Sequence, residues 1–383
     1  MLRRRDLLKA AGALAGFTSF GAERKPNLLV MEASGWRAND PNISAPNLER
    51  LAEEGIRFER AYSCCPMPGA SQAALLTGRF PWSSSGPTLG EVLRNAGYRT
   101  GFAGRQLIER SRTGFDYRGT DLGIDFLKQK SERPFFLFVV LDGPRTGPLR
   151  SARVHVEEGT FRLDPNVPED FRAQAQSEYA LYTGLCSKVD QATGNLLEAL
   201  EEAHLTGETI VVFTSGYGEM LSSQGLEDGD VPFEEAVHVP LVIRHPGLRS
   251  AARRPEFFVS NVDIMPTLLG FCNVAIPEGV QGRDLSALIS LGEGSRPESV
   301  YAAGHIGASD EWRMVVRGLD KLVEDRKLEV TDLFNLGTDP YELDNRAADP
   351  SLELKRDELK ALVRDWMRRT GDGMDPSGLK KRG

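Results

Sequence analysis

The chain has 383 residues, of which 40% are hydrophobic and 27% charged, which suffices for a sizeable core in one large domain with an appendage, or in two domains. A formal net charge of -8 excludes a general nucleic-acid binder, because phosphate backbones are held by clustered Lys and Arg. Four cysteines, Cys64, Cys65, Cys186 and Cys272, show neither paired metal-ligand spacing nor the density of a disulfide scaffold.

In chain order, the first element is "MLRRRDLLKAAGALAGFTSFGA", with Arg3, Arg4 and Arg5 ahead of an apolar run, Leu7 to Phe20, too short to span a bilayer. The run lacks a helix-periodic polar face, and Arg4-Arg5-Asp6-Leu7-Leu8-Lys9 resembles the twin-arginine type of export signal. Residues 1–22 are therefore expected to be a bacterial signal that delivers a folded protein to the periplasm or the exterior. No other segment reaches membrane-spanning length.

Next come short runs that are apolar at every position: "NLLVM" at 27–31, "PFFLFVVL" at 134–141, "TIVVFTS" at 209–215 and "VPLVI" at 239–243. Such runs suit strands covered on both faces, as in a parallel sheet between helix layers. Between them, Pro46 to Gly55 carries a helix-start proline, apolar Leu48, Leu51 and Ala52, and a glycine stop. Thr88 and Glu91 predict a capping box, with Gly97 closing that helix. The alternation predicts an α/β fold with a mostly parallel central sheet over 23–300 and active residues at the carboxyl ends of its strands. From Tyr301 the pattern turns to short strands, "EWRMVVRGLDKLVED", with a turn at Gly318 to Asp320. A final amphipathic helix with Leu354, Leu359, Leu362, Val363 and Trp366 on its apolar side completes a smaller α+β subdomain, 301–370. Residues 371–383 read as a frayed tail.

Ten segments in series carry a family resemblance: "KPNLLVM…GW", "APNLERLAEEGIRFERAYS", "AALLTGR", "LRNAGYRTGFAGR", "PFFLFVVLDGP", "IVVFTSGYGEML", "PFEEAVHVPLVIRHPG", "VDIMPTLLG", "GVQGRDL" and "DLFNLGTDPYELDN". In this order and spacing the chain resembles the sulfatase family of the alkaline-phosphatase superfamily. The resemblance implies that fold, and a formylglycine nucleophile made from Cys or Ser in C/S-x-P-S-R beside a divalent cation. Aligned without a gap, however, the nucleophile position is Pro68, the motif proline is Ala70, the motif serine is Ser71 and the motif arginine is Gln72. The alternative, Cys64-Cys65-Pro66 as a displaced C-x-P, would put Pro68 at the arginine position.

The family's first strand ends in adjacent aspartates, where this chain has Glu32, Ala33 and Ser34; its late strand ends in Asp-His or Asp-Asn, where this chain has Gly216 and Tyr217. One glutamate cannot supply the several oxygens that a hard divalent cation wants, so no metal or other cofactor is expected. Arg105 stands at a family lysine and Arg145 at a family histidine. With Arg79 they are expected to approach one cleft lined by Glu32, Ser34, Ser71, Gln72 and Tyr217. Guanidinium forks and a helix amino end favour oxyanions, which points to a metal-free site for a sulfated or acidic glycan. Tyr217 and Trp36 could stack on a sugar, or simply pack in the core. The resemblance thus implies a non-catalytic sulfatase homologue without nucleic-acid partner or membrane span. The alternative is an active sulfuric or phosphoric ester hydrolase using unconventional residues.

Overall fold

The computed structural model describes residues 25–83, 85–105, 114–144, 160–227, 229–248 and 254–374. The expected export signal and Arg145 lie outside the described residues. Seven strands form the main sheet: β1 (Asn27–Ala33), β2 (Ile56–Arg57), β4 (Arg99–Gly104), β5 (Tyr117–Gly119), β6 (Phe135–Leu141), β7 (Thr209–Thr214) and β8 (Leu241–Arg244). Two more, β3 (Ala61–Tyr62) and β9 (Val259–Ser260), pair with each other. The main sheet runs β2-β8-β7-β1-β6-β4-β5, parallel from β7 through β5.

The continuously apolar runs become the strands at the centre of this sheet because both faces are covered. Leu28, Val30, Phe136 and Phe138 face one helix layer, while Leu29, Met31, Leu137 and Val139 face the other. The first layer includes the helices Pro68–Thr77, Leu89–Asn95 and Ile264–Phe271; the second includes Pro46–Glu53 and the 31-residue helix Arg172–Glu202.

One apolar run behaves differently from a parallel core strand. The stretch read at 239–243 becomes β8, which is antiparallel to β7. The connection between them contains only the short helices Ser223–Gly225 and Glu234–Val237, so the chain doubles back at the carboxyl edge instead of crossing over the sheet.

Local helix signals act as their chemistry dictates. Thr88 Oγ1 accepts from Glu91 N at 3.2 Å, and Glu91 Oε2 accepts from Thr88 N at 2.8 Å. The helix Pro46–Glu53 has no side-chain cap of its own. Asp190, in the long helix, supplies it, accepting from Asn47 N and Leu48 N at 3.2 and 2.9 Å.

The C-terminal part is an antiparallel meander: β10 (Ser299–Gly304), β11 (Trp312–Arg317), β12 (Asp320–Glu324) and β13 (Val330–Asn335). Arg317 pairs with Asp320 across a tight turn whose Gly318 has φ 60°, a value glycine adopts freely. The helix Glu353–Thr370 buries Leu359, Val363 and Trp366 against this sheet. Leu354, expected on that buried side, is 82% exposed, since the first helical turn lies beyond the covered face. The tail is also not frayed at its start. Asp372 accepts from Tyr301 OH at 2.7 Å and from Arg313 Nη2 at 2.9 Å; residues 375–383 lie outside the described residues.

The two parts share one aromatic seam. Phe80 stacks on Trp82 at 5.1 Å, and Tyr301 lies parallel to Trp366 at 5.9 Å. On the other face of the meander, the fully buried Lys321 of β12 pairs with Glu342 at 2.7 Å and Glu234 at 3.0 Å. Removing that ammonium strands two carboxylates in a dry site. Lys321→Met should therefore destabilise the protein by about 3–5 kcal/mol, measured by chemical denaturation. An unchanged midpoint would show that the pair does not hold the two parts together.

Candidate functional site

Strand register assembles the site. Glu32 pairs with Thr214 on one side and Val140 on the other, and Val140 pairs with Gly104. The carboxyl ends of β7, β1, β6 and β4 therefore share one row. Even-numbered β1 residues face the layer containing the helix Pro68–Thr77, so Glu32 points at that helix.

The helix begins at Pro68, where a preset φ and the missing N–H suit a first helical position. Pro68, the residue expected at the nucleophile position, is thus a good helix starter. One turn later, Ser71 Oγ donates to the Gly216 carbonyl at 2.7 Å and accepts from Asn261 Nδ2 at 3.0 Å. Asn261 Oδ1 in turn accepts from Cys64 N at 3.0 Å. Gln72 Nε2 donates to Glu32 Oε2 at 3.0 Å, and Ser34 Oγ approaches Glu32 Oε1 at 3.5 Å.

These groups are interior. Glu32, Ser71 and Gln72 are 0% exposed and Ser34 is 4% exposed, so they do not line the open cleft expected from sequence. A Cβ on Gly216 would lie 2.9 Å from Ser71 Oγ and 3.0 Å from Glu32 Oε1. The space beside Gly216 is taken up by the Ser71 hydroxyl and the Glu32 carboxyl.

The loops leaving the strands are equally closed. Gly35 N donates to Tyr217 O at 3.0 Å, and Ser215 Oγ lies 2.6 Å from the carbonyls of both Ala33 and Tyr217. Tyr217 is buried, and Trp36 sits edge-on against Phe213 at 5.5 Å, so both are core aromatics and not stacking platforms for a sugar.

Burial drives the chemistry of Glu32. Desolvation pushes its carboxyl up to about 7, opposed by the Gln72 and Ser34 hydrogen bonds. The thiols of Cys64 and Cys65 are likewise pushed well up by burial, which suits packing residues and not nucleophiles. A hard divalent cation does not fit this donor set: Glu32 has its oxygens engaged, and the Glu219 side chain at the same edge packs against Gly35. Among the described residues no group of three or more His, Cys, Asp or Glu is arranged to hold a metal.

Of the three arginines expected at one cleft, the two that are described, Arg79 and Arg105, lie apart. Arg79 follows the carboxyl end of the Pro68–Thr77 helix, on the order of 15 Å from its start. There its guanidinium lies against Gly86 and Gly279 and donates to Glu278 O. Arg105 is exposed directly after Gly104, about 10 Å across the sheet from β1. Arg145 lies outside the described residues.

Sequence reasoning missed Asn261 and Arg37. Arg37 is 3% exposed and holds Ser223 Oγ at 2.8 Å, Met220 O at 3.1 Å and Asp164 at 3.3 Å. It knots the loop after β1 to the loop after β7. Its position beside Gly35-Trp36 was the available signal. Asn261 directly precedes the "VDIMPT" segment, but only the fold shows that it meets Ser71.

The Glu32 shift has a definite sign. Because the folded-state value is raised, folding holds the proton, and the wild type loses stability as pH rises from the ordinary 4.5 through about 7. From pH 4.5 to 8, Glu32→Gln should gain roughly 3 kcal/mol on the wild type. Denaturation of both proteins across that range checks it; a difference independent of pH would contradict a buried, raised carboxyl.

The sulfatase family model matches residues 28–119 and 106–274, and a model described as N-sulphoglucosamine sulphohydrolase, C-terminal, matches 223–369. The chain is 26% identical to an ulvan-active sulfatase of Formosa agariphila, over 91% of this chain and 82% of that protein. It is 27% identical to an endo-4-O-sulfatase of Bacteroides thetaiotaomicron, over 87% of this chain and 85% of that protein. A protein solved in complex with its substrate D-glucosamine-2-N,6-O-disulfate superposes with a TM-score of 0.79 at 19% identity, covering 94% of this chain and 100% of that one; the likeness speaks for the fold. With its parallel sheet, its C-terminal antiparallel meander and these matches along almost its whole described length, the chain belongs to the sulfatase family.

Proposed function

We propose that this chain is an exported, non-catalytic sulfatase homologue. In this reading the carboxyl edge of the sheet carries no cation and recognises a sulfated or acidic glycan through Arg105 and Arg145. The observation that carries the loss of chemistry is the buried Ser71–Gly216–Asn261 and Glu32–Gln72 network, which fills the space between helix and sheet. Sulfate-ester cleavage by a formylglycine needs a convertible Cys or Ser, and Pro68 offers neither thiol nor hydroxyl.

Other hydroxyls do not replace it. Ser71 contacts a carbonyl and an amide, neither of which takes up its proton. Ser34 has Glu32 at 3.5 Å, the pair that an unconventional hydrolase would need, but its 4% exposure keeps a substrate away.

The ligand class rests on the relatives, which include an ulvan-active sulfatase, an endo-4-O-sulfatase and an N-acetylglucosamine-6-O-sulfatase. A family that reads sulfated sugars can retain recognition after losing turnover, because guanidinium groups bind oxyanions without a metal. Export rests on the twin-arginine-like start, and the division at residue 300 on the change from parallel to antiparallel sheet. No helix among the described residues is long and apolar enough to cross a membrane.

Turnover of 4-nitrophenyl sulfate should stay at the uncatalysed level with or without added calcium. A sulfated disaccharide should raise the melting temperature of the wild type and not of Arg105→Ala. Hydrolysis that disappears in Ser34→Ala would establish the unconventional hydrolase in its place.

A further inference from the structure

We propose that the opposite edge of the sheet, at the amino ends of β1, β4 and β6, is a second anion-recognition site that takes a multiply sulfated oligosaccharide. This goes beyond the reading above, since it uses none of the residues at the carboxyl edge. The amino ends border a cleft of about 770 Å3 lined by five cations: Lys25, Arg99, Lys128, Lys130 and Arg133. Three carboxylates, Glu132, Glu202 and Glu208, share the lining, so the cleft has a cationic excess in a chain whose net charge is -8.

The two arginines are fixed without being neutralised. Arg99 donates to Gln129 Oε1 at 3.0 Å, Gln129 O at 3.2 Å and Phe126 O at 3.4 Å, with its guanidinium 4.7 Å over the Phe126 ring. Its Nε is buried without a hydrogen-bond partner among the described residues. Arg133 donates from Nε to Gly97 O at 2.9 Å and from Nη2 to Tyr98 O at 2.7 Å, leaving Nη1 out of both bonds. Every one of these acceptors is neutral. Burial, and then the neighbouring Arg133 charge, lower the pKa of Arg99, which shows two like charges held close together. Lys128, by contrast, has Glu202 at 2.9 Å.

Paired guanidiniums, with Arg133 Nη1 left free of both of its backbone bonds, match a dianionic oxyanion. The exposed Lys130 extends the positive surface along the cleft, and Gln129 and Ser131 add neutral polar groups suited to sugar hydroxyls. Single-stranded nucleic acid would need exposed rings on which to stack bases, whereas Phe126 and Phe135 here are 4% and 2% exposed.

The test is calorimetric titration of the mature chain carrying Arg105→Ala, which removes the carboxyl-edge contribution, with a heparin-derived hexasaccharide. We expect one salt-sensitive site, weakened about tenfold by Lys130→Gln with Arg133→Gln. Lys130→Gln alone, an exposed change that leaves the backbone bonds of Arg133 intact, should weaken it about threefold. Affinity unchanged by these substitutions, or a single-stranded DNA decamer bound as tightly, would overturn the proposal. Loss of all binding on Arg105→Ala alone would also overturn it. Wild-type stoichiometry unchanged by Arg105→Ala, with binding lost on the Lys130/Arg133 change, would support this site and remove only the carboxyl-edge reading.

Discussion

The hydrogen bond from Ser71 Oγ to the Gly216 carbonyl fixes the helix Pro68–Thr77 to the carboxyl edge of the sheet, and the remaining geometry of that edge follows from it. It requires a residue at 216 without a side chain, since a Cβ there would press on both Ser71 and Glu32. With Gly216 in place, the helix seats closely enough for Gln72 to reach Glu32 and for Asn261 to close the network on Ser71. A buried polar network of this kind is stabilising only when its members are satisfied, and the partners of Ser71, Gln72 and Asn261 meet that condition. Glu32 is the strained member. Its carboxylate is desolvated, and two hydrogen bonds only partly offset the cost of charging it.

The same closure recurs around the edge. Gly143 presses on the Ser34 backbone, Tyr217 is interior, and Arg37 ties the flanking loops to each other and, through the hydroxyls of Tyr179 and Tyr182, to the long helix. The meander is fastened to this assembly by Lys321 and by the aromatic seam from Phe80 to Trp366. The side chains at this edge, Glu32, Ser71, Gln72 and Tyr217 among them, are therefore interior. Cationic surface survives at Arg105 and in the Arg99–Arg133 cleft at the other end of the strands.

Much of the fold was legible because it rests on local chemistry. Continuous apolar runs predicted β1, β6 and β7, and the Thr88–Glu91 pair predicted a cap that forms as written. The direction of β8 was not legible, since an apolar run looks the same in either orientation and only the connecting segment decides it. Leu354 misled for a related reason: periodicity marks a face, but not where its cover ends. At the site, the residue replacements at Pro68, Gln72 and Gly216 could be read from the family pattern. That Glu32, Ser71 and Gln72 are interior could not, because it depends on distances of a few tenths of an ångström. Arg79 was misplaced because nearness in sequence to Ser71 hid about two helical turns between them.

The central claim is that the carboxyl edge has exchanged a cation site for a packed hydrogen-bond network. The most direct measurement is elemental analysis of calcium and magnesium in the protein, purified in metal-supplemented buffer and then dialysed without chelator. The account predicts far less than one ion per chain. A stoichiometric ion that survives dialysis would contradict it and would require ligands other than the Glu32 network.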